Sequence, residues 1–411
     1  MNHKELINQA EEKCRSYFAN IEEIVLHNTE KVLNALQEEG IAYRHFAPST
    51  GYGYDDIGRD ALERLYVRVF GGESAIVRPH IASGTHAISL CLFGLLRPND
   101  ELIYATGTPY DTLVEVIGST DLTPNSLREL GVKYKEIPLK DGKTLQIDAI
   151  MASLTAKTKV VALQRSRGYA LRDSLLPEDF APLCKKIHEY NPEICVLIDN
   201  CYGEFVCKEE PLAYGADVIV GSLIKNPGGG LAPTGGYIVG KEVYIEKISS
   251  RLTAPSVGRE VGSYAQSYQL FYQGFFMAPH VVGEALKTAL LFACTFKEMG
   301  YDIFPSLSQK RSDIIQAIVL GSAKPLIAFC EAIQMASPID SMALPTPWAM
   351  PGYQHEVIMA AGTFVGGASI ELSADAPLRE PYAVYMQGAL SYAHGKIALA
   401  KVLSHLTKGH L

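Results

Sequence analysis

The sequence lacks the features that mark secreted, membrane-spanning and nucleic-acid-binding proteins. Its eight cysteines are scattered without a CxxC pair, and no uninterrupted apolar run reaches the roughly 18 residues of a membrane span. The amino-terminal segment is polar and acidic, without the apolar core of a signal peptide. Acidic residues (45) outnumber basic ones (37), which argues against a general positive field for nucleic acid. These absences predict a cytoplasmic protein with reduced cysteines that binds neither membranes nor nucleic acid.

Two common nucleotide-binding motifs are also missing. No GxxxxGK[ST] loop is present, and no GxGxxG follows the first predicted strand. The residues around His86 and His355 show no metal-ligand spacing. We therefore expect no bound metal and no P-loop or dinucleotide site.

The chain of 411 residues is 47% hydrophobic and long enough for two or three domains. Short β-branched runs alternate with helical stretches from SAIVRPHIA through ELIYAT, TKVVALQR, ICVLIDNC and ADVIVGSL to GGYIVG. This alternation predicts an α/β fold with a doubly wound, mostly parallel sheet. The predicted units are an N-terminal helical segment (1–50), a large domain (51–290) and a small C-terminal domain (291–411).

In the small domain, the sequence predicts a helix around PLIAFCEAIQMA, strands at HEVIMAA and ASIELSAD, and a last helix over PYAVYMQGALSYAHGKIALAKVL. A long helical pattern from Tyr264 to Met299 precedes it.

Three segments carry candidate chemistry at strand ends, where α/β sheets hold their ligands. Ser83, Gly84 and Thr85 form a turn before a predicted helix, whose free N–H groups can bind phosphate, although Ser83 can also simply cap the helix. Asp199 ends an apolar strand and can pair with a cationic ring nitrogen, cap a turn or bind a metal. Lys225 follows the next strand, where a desolvated amine becomes a nucleophile toward aldehydes, although most such lysines are solvated.

Gly84, Asp199 and Lys225 follow one another at intervals of 115 and 26 residues. This order is similar to that in the fold-type I pyridoxal-phosphate enzymes. The segments SGTHA, GTPYDTL, QRSRGY, DNCYGEF, GSLIKNPGGG and SADAPLREPY resemble the branch with the cystathionine β- and γ-lyases and methionine γ-lyase. They resemble most closely a bacterial group described as aluminium-resistance proteins or cystathionine β-lyases. The resemblance covers residues 43–411 and implies a large cofactor-binding domain with a smaller α+β C-terminal domain.

The resemblance also implies residue roles. Lys225 matches the lysine that binds pyridoxal 5'-phosphate covalently, and Asp199 matches the aspartate that keeps the ring nitrogen protonated. Tyr110 matches the tyrosine that stacks on the ring and can protonate the leaving group. The implied phosphate ligands are Ser83, Gly84, Thr85 and Ser222.

Subunit sharing is implied as well. In the family, a tyrosine and an arginine reach the neighbouring subunit's phosphate, and the loop GYGYDDIGRD offers Tyr52, Tyr54 and Arg59. The sequence does not choose between the two tyrosines. We expect a homodimer or homotetramer whose active sites are shared between subunits.

The chain departs from the lyase pattern at three places. Ile224 stands where the lyases carry a hydroxyl residue, and ASIELSAD lacks the arginine that binds the substrate in the lyases. Arg379 is the predicted substitute, because a guanidinium binds a carboxylate through two hydrogen bonds. Arg165 and Arg167 stand where the lyases use an asparagine beside the cofactor, so Arg167 is predicted to bind the cofactor.

The resemblance implies a lyase that acts on a sulfur amino acid of the cystathionine, cysteine or methionine type, by β- or γ-elimination. A γ-replacement synthase, an aldolase-like lyase, an aminotransferase and a non-catalytic pyridoxal-phosphate-binding protein stay open, because one fold and cofactor host many reactions.

Overall fold

A seven-stranded sheet forms the centre of the larger part of the molecule. The computed structural model describes residues 3–120, 123–350, 353 and 355–408. The strands are β1 (Ser74–Arg78), β2 (Glu101–Tyr104), β3 (Lys133–Glu136), β4 (Thr158–Gln164), β5 (Cys195–Asp199), β6 (Val218–Ser222) and β7 (Gly236–Gly240). Their order is β1-β7-β6-β5-β4-β2-β3, and only β7 runs antiparallel to its neighbours. The predicted mostly parallel sheet is confirmed.

Helices cover both faces of this sheet, because successive strand residues point to opposite sides. Val161 packs into one apolar cluster and Val160 into the other. The first cluster includes α2 (Ile57–Phe70), α5 (Ile147–Ser153), α6 (Ala181–Tyr190) and α8 (Gln269–Glu298); the second includes α3 (Gly84–Leu95), α4 (Asp111–Ile117) and α7 (Glu242–Leu252). The doubly wound architecture is thereby confirmed.

A second sheet of five antiparallel strands follows along the chain. It contains β8 (Asp302–Phe304), β9 (Gln316–Val319), β10 (Val357–Ala360), β11 (Ser373–Pro377) and β12 (Ala383–Gln387), in the order β10-β11-β12-β9-β8. The helices α9 (Ala323–Ala336) and α10 (Tyr392–Lys408) accompany it.

The predicted last helix is wrong in its first half. Residues 383–387 form β12, and α10 begins only at Tyr392. All five β12 residues are buried, so their continuous apolar run carries no periodicity that separates a strand from a buried helix. The strand predicted at ASIELSAD likewise begins later, at Ser373, and β8 and β9 were not predicted.

The long helix α8 begins at Gln269, five residues after the predicted start at Tyr264. The N-terminal helix α1 (His3–Glu38) lies along it, and Lys287 of α8 forms an ion pair with Glu22 at 3.0 Å. Residue 290, where a domain boundary was predicted, lies inside α8, and the domain limits stay a prediction. Among the described helices, α8 is the one whose length and composition would suffice to cross a membrane, and 72% of its most apolar window is buried inside the protein.

A buried ion pair fixes the segment that follows β5. The Arg165 guanidinium donates to the Glu210 carboxylate at 2.9 Å, and both side chains are excluded from solvent. The same carboxylate accepts from the Asn200 amide at 3.0 Å and from the Phe205 backbone N–H at 2.9 Å. One carboxylate therefore holds the chain immediately after Asp199.

We expect Glu210→Gln to lower the free energy of unfolding by about 3 kcal/mol, because it leaves the buried Arg165 charge without its partner. Urea unfolding of the cofactor-free protein measures this loss. The matched control is Glu209→Gln, since the neighbouring Glu209 side chain is 52% exposed and its variant should stay within about 0.5 kcal/mol of wild type. Equal stability of the two variants would contradict a structural role for the buried pair.

Candidate active site

The carboxyl ends of several strands open into one cavity of about 230 Å³. Parallel strands present these ends at the same edge of a sheet, so residues far apart in sequence meet there. The cavity is lined by seven of the predicted residues: Ser83, Gly84, Thr85, Tyr110, Asp199, Ser222 and Lys225. The structure thus brings these seven predicted residues together.

Lys225 lies on the turn after β6, and its amine faces segments near the small sheet. Its Nζ donates to the backbone carbonyl of Gly367 at 2.7 Å and to the Ser369 hydroxyl at 2.6 Å. The same nitrogen lies 5.3 Å from the centre of the Tyr202 ring. These contacts hold the amine at the junction of the two sheets.

Glycines fix the turn that carries this lysine. The residues after it form a short 3₁₀ helix (Asn226–Gly228) that packs against α8. A Cβ added at Gly229 would overlap the carbonyl oxygen of Gly274 in α8, and one added at Gly274 would overlap that of Gly228. The backbones therefore touch directly, and this contact sets the position of Lys225.

The Asp199 carboxylate is buried at the end of β5, with 8% of the residue exposed. Burial raises its pKa to about 6, against the opposing effects of a hydrogen bond from the Cys201 N–H and the charge of Arg172. The Cys201 hydrogen bond measures 3.1 Å, and Asp199 forms no ion pair with a described side chain. A cationic ligand group would supply the partner that this carboxylate lacks.

The N-terminus of α3 supplies hydrogen-bond donors on the opposite side of the cavity. Ser83 caps this helix, and its hydroxyl accepts from the His86 N–H at 3.1 Å. A Cβ at Gly84 would lie 3.3 Å from the Cys201 sulfur and 3.6 Å from Ser222 Cβ, so glycine keeps the turn open between three segments. This arrangement suits an anion, because helix N-terminal N–H groups have no internal acceptor.

Tyr110 precedes α4, and two hydrogen bonds orient it. Its backbone N–H donates to the Gln164 side chain at 3.1 Å, and its hydroxyl lies 2.7 Å from the Tyr353 hydroxyl. Burial raises the pKa of Tyr110 well above its ordinary value, and the nearby Tyr202, Tyr353 and Asp375 add to this effect. The Tyr110 phenol is therefore protonated at neutral pH.

The predicted subunit-sharing residues do not line this cavity in the single chain. Tyr52 and Tyr54 are 76% and 62% exposed, and their ring centres lie 5.9 Å apart. Arg59 is buried and donates to the Gly53 carbonyl and to Asp60, each at 2.7 Å. Their predicted contact with a neighbouring phosphate stays a prediction.

The two predicted arginines lie outside the cavity lining. Arg167 is buried behind it, with its backbone N–H 3.0 Å and its Nε 3.5 Å from the Asp313 carboxylate. Arg379 is exposed and donates to the Tyr169 carbonyl at 3.1 Å. Their predicted roles toward cofactor and substrate also stay predictions.

Several residues that contact the site were not predicted. Ser369 and Asp375 come from the C-terminal part of the chain, and Tyr353 follows a turn-rich stretch, so no spacing links them to Lys225. Gln164 and Tyr202 could have been found, because both stand at strand ends within segments that carry the family resemblance.

The family model described as methionine gamma-lyase matches residues 3–407. The chain belongs to this family of carbon–sulfur lyases, which confirms the prediction from the sequence motifs. The Bacillus subtilis protein YnbB is 49% identical over 417 residues, covering 100% of this chain and 99% of its own. The L-methionine gamma-lyase of Pseudomonas putida is 28% identical and aligns with 48% of this chain and 45% of its own length.

Solved structures agree with the predicted fold. A Listeria monocytogenes protein, described as a candidate cystathionine beta-lyase involved in aluminum resistance, has a TM-score of 0.95 and 48% identity, covering 98% of this chain and 100% of its own. A Clostridium novyi protein, described as a carbon-sulfur lyase involved in aluminum resistance, has a TM-score of 0.94 and 46% identity, covering 98% and 95%. Corynebacterium glutamicum metB shares the fold at a TM-score of 0.59 and 16% identity, covering 89% and 91%.

The raised pKa of Asp199 predicts that the stability of the cofactor-free protein depends on pH. The pKa of Asp199 in the folded protein, about 6, lies above the ordinary value of 3.8. The folded state therefore binds this proton more tightly than the unfolded state. The contribution of Asp199 to the free energy of unfolding consequently falls as the pH rises from 3.8 to about 6. We expect the stability of wild type relative to Asp199→Asn to fall by about 1 kcal/mol between pH 5 and 7.5. Urea unfolding at both pH values measures this change.

Asp148→Asn is the control for that experiment, because the Asp148 side chain is 95% exposed. Its stability relative to wild type should be the same at both pH values. If the difference in the free energy of unfolding between wild type and Asp199→Asn did not vary with pH, this result would contradict a desolvated Asp199 carboxyl at the end of β5.

Proposed function

We propose that this protein is a pyridoxal-phosphate-dependent carbon–sulfur lyase that acts on a sulfur amino acid by β- or γ-elimination. The observation that supports it is the convergence, in one cavity, of the Lys225 amine, the buried Asp199 carboxylate and the N-terminus of α3 with Gly84. Membership of the methionine gamma-lyase family supports the reaction class.

The donors and acceptors of the cavity fit this cofactor. Lys225 would bind its aldehyde carbon, and Asp199 would pair with its protonated ring nitrogen. The N–H groups at Gly84 and Thr85, with the Ser222 hydroxyl, would hold its phosphate. When bound, pyridoxal phosphate supplies an electron sink that stabilises negative charge at the substrate Cα.

The Lys225 amine is the proposed base. Its two hydrogen-bond acceptors, the Gly367 carbonyl at 2.7 Å and the Ser369 hydroxyl at 2.6 Å, fix the position of Nζ. When its amine is free, Lys225 would take the Cα proton. γ-Elimination would require a second proton abstraction, for which Lys225 is again the available base.

Tyr110 is the proposed acid for the leaving sulfur. It is protonated at neutral pH, and its hydroxyl is held by Tyr353 at 2.7 Å. Arg379 is the proposed ligand of the substrate α-carboxylate, because its guanidinium is exposed and lies near the N-terminus of α4. At that helix end, burial raises the pKa of Asp111, and the charge of Arg379 opposes this rise.

We also propose a homodimer or homotetramer, located in the cytoplasm, in which Tyr52 or Tyr54 and Arg59 contribute to the neighbouring site. The exposure of both tyrosine rings supports this assembly, since large exposed aromatic side chains are frequent at subunit contacts.

Adding pyridoxal phosphate to the cofactor-free protein should produce a visible absorption band that Lys225→Ala abolishes. The matched control is Lys185→Ala, since this lysine is 77% exposed on α6 and its variant should keep the band. A band of equal intensity in Lys225→Ala would contradict covalent attachment at this residue.

Incubation of the loaded enzyme with L-cystathionine, or with L-methionine, should release a 2-oxo acid, ammonia and a thiol. Pyruvate from cystathionine would establish β-elimination, and 2-oxobutyrate γ-elimination. Exchange of the sulfur group without a 2-oxo acid would instead establish a γ-replacement synthase, and amino-group transfer an aminotransferase. A bound cofactor whose spectrum no sulfur amino acid changes would contradict the lyase proposal.

Tyr110→Phe should lower kcat about 100-fold for a substrate that releases an alkyl thiol, because a positioned general acid contributes on this scale. The loss should be much smaller for S-phenyl-L-cysteine, since an aromatic thiolate leaves without protonation. Tyr190→Phe is the control, with 52% of the native side chain exposed. Equal losses for both leaving groups would show that Tyr110 acts otherwise than as the acid.

A further inference from the structure

An acidic side chain that no motif predicted lies in the small sheet, on the strand that follows the Lys225 acceptor Ser369 along the chain. Asp375 stands on β11 and is half-buried. Its Oδ2 accepts a hydrogen bond from the Gln387 amide at 2.8 Å, and no described arginine, lysine or histidine forms an ion pair with it. The carboxylate is therefore held in place by a neutral partner and forms no ion pair with a described side chain.

Asp375 is electrostatically close to the Lys225 amine. Burial raises the pKa of Asp375 to about 6, and the charge of Lys225 is the largest effect opposing this rise, followed by Tyr169 and Gln387. The carboxylate is consequently ionised at neutral pH. It is separate from Asp199, which lies at the end of β5 in the other sheet.

Tyr385 stands opposite Asp375 where β11 pairs with β12, and a chain of tyrosine rings leads from Tyr385 to Tyr110 in the cavity lining. The Tyr169 ring centre lies 5.7 Å from that of Tyr110, 6.1 Å from that of Tyr353 and 5.4 Å from that of Tyr385. Asp375 adds to the burial effects that raise the pKa of Tyr110, Tyr169, Tyr202 and Tyr353, so its charge acts on all four phenols. We call these four tyrosines and Asp375 the tyrosine–aspartate cluster.

The chemistry of this cluster selects for positive charge. Aromatic faces attract cations, and a partly desolvated carboxylate attracts them more strongly. A second carboxylate, such as the substrate's own, would be repelled from it. A neutral thioether side chain would leave the Asp375 charge unbalanced and more deeply buried, which is costly.

We propose that the tyrosine–aspartate cluster is a subsite for a cationic leaving group. The preferred substrates are then thioether amino acids whose sulfur carries an aminoalkyl chain, rather than neutral ones such as methionine. This inference rests on the proposed lyase activity and assigns its substrate class.

Two isosteric substrates test it: S-(2-aminoethyl)-L-cysteine, which carries an ammonium, and S-propyl-L-cysteine, which carries a methyl group in its place. With the pyridoxal-phosphate-loaded wild type, we expect kcat/KM for pyruvate release to favour the ammonium substrate about 100-fold, because a site built for a polar group rejects the analogue that lacks it. The amino acid concentration that half-saturates the change in the cofactor spectrum should show the same preference.

Asp375→Asn should reduce this preference to about threefold or less, mainly by loss of the ammonium substrate, whereas Asp375→Glu should keep most of it. Asp148→Asn, the exposed charge-matched control, should leave the preference as in wild type. A proportional loss for both substrates in Asp375→Asn would overturn the proposal, because it would show that Asp375 serves Lys225 and not the leaving group.

The wild-type comparison needs no variant, and equal values for the two substrates would overturn the subsite on their own. Failure of the lyase proposal gives a different result: both amino acids would change the cofactor spectrum without releasing pyruvate, and L-cystathionine would release neither pyruvate nor 2-oxobutyrate. The half-saturating concentrations would then still measure the cation preference of the cluster.

Discussion

A carboxylate buried without a cationic partner sets the conditions for the whole cavity. Asp199 is fixed at the end of β5, and the segment after it is held by the Arg165–Glu210 pair, so it cannot turn toward water. Opposite it, the α3 N-terminus presents donors without acceptors. The protein alone thus leaves one buried negative charge and one anion-binding end unbalanced. A ligand with a cationic ring and an anionic group balances both.

The two sheets contribute to this cavity in different ways. The large sheet supplies Asp199, Ser222 and the turn at Gly84, all at strand ends whose positions follow from the parallel pairing. The C-terminal part of the chain supplies Ser369, which accepts a hydrogen bond from the Lys225 amine, and Asp375 on β11. Cofactor binding and substrate choice therefore depend on separate parts of the chain, joined at the Lys225 amine.

Much of the large sheet and its site could be predicted from the sequence, because buried parallel strands are short apolar runs and their ends place Asp199 and Lys225. The small sheet was predicted less well, since β12 is buried throughout and its apolar run also fits a helix. Asp375 and Tyr353 were not predicted, and the reason is different. Their contacts join segments over a hundred residues from Lys225, and only the antiparallel pairing of β11 with β10 and β12 brings Asp375 there.

The direct backbone contact between Gly228, Gly229 and Gly274 has a consequence for how such a site can change over evolution. A side chain at Gly229 or Gly274 would push the turn of Lys225 away from α8, and one at Gly228 would overlap the Leu223 carbonyl. Mutation there would damage every reaction of the enzyme at once, whatever its substrate. Asp375 and the tyrosines other than Tyr110, the proposed acid, carry no such restriction, so new specificities are accessible through them while the glycines are retained.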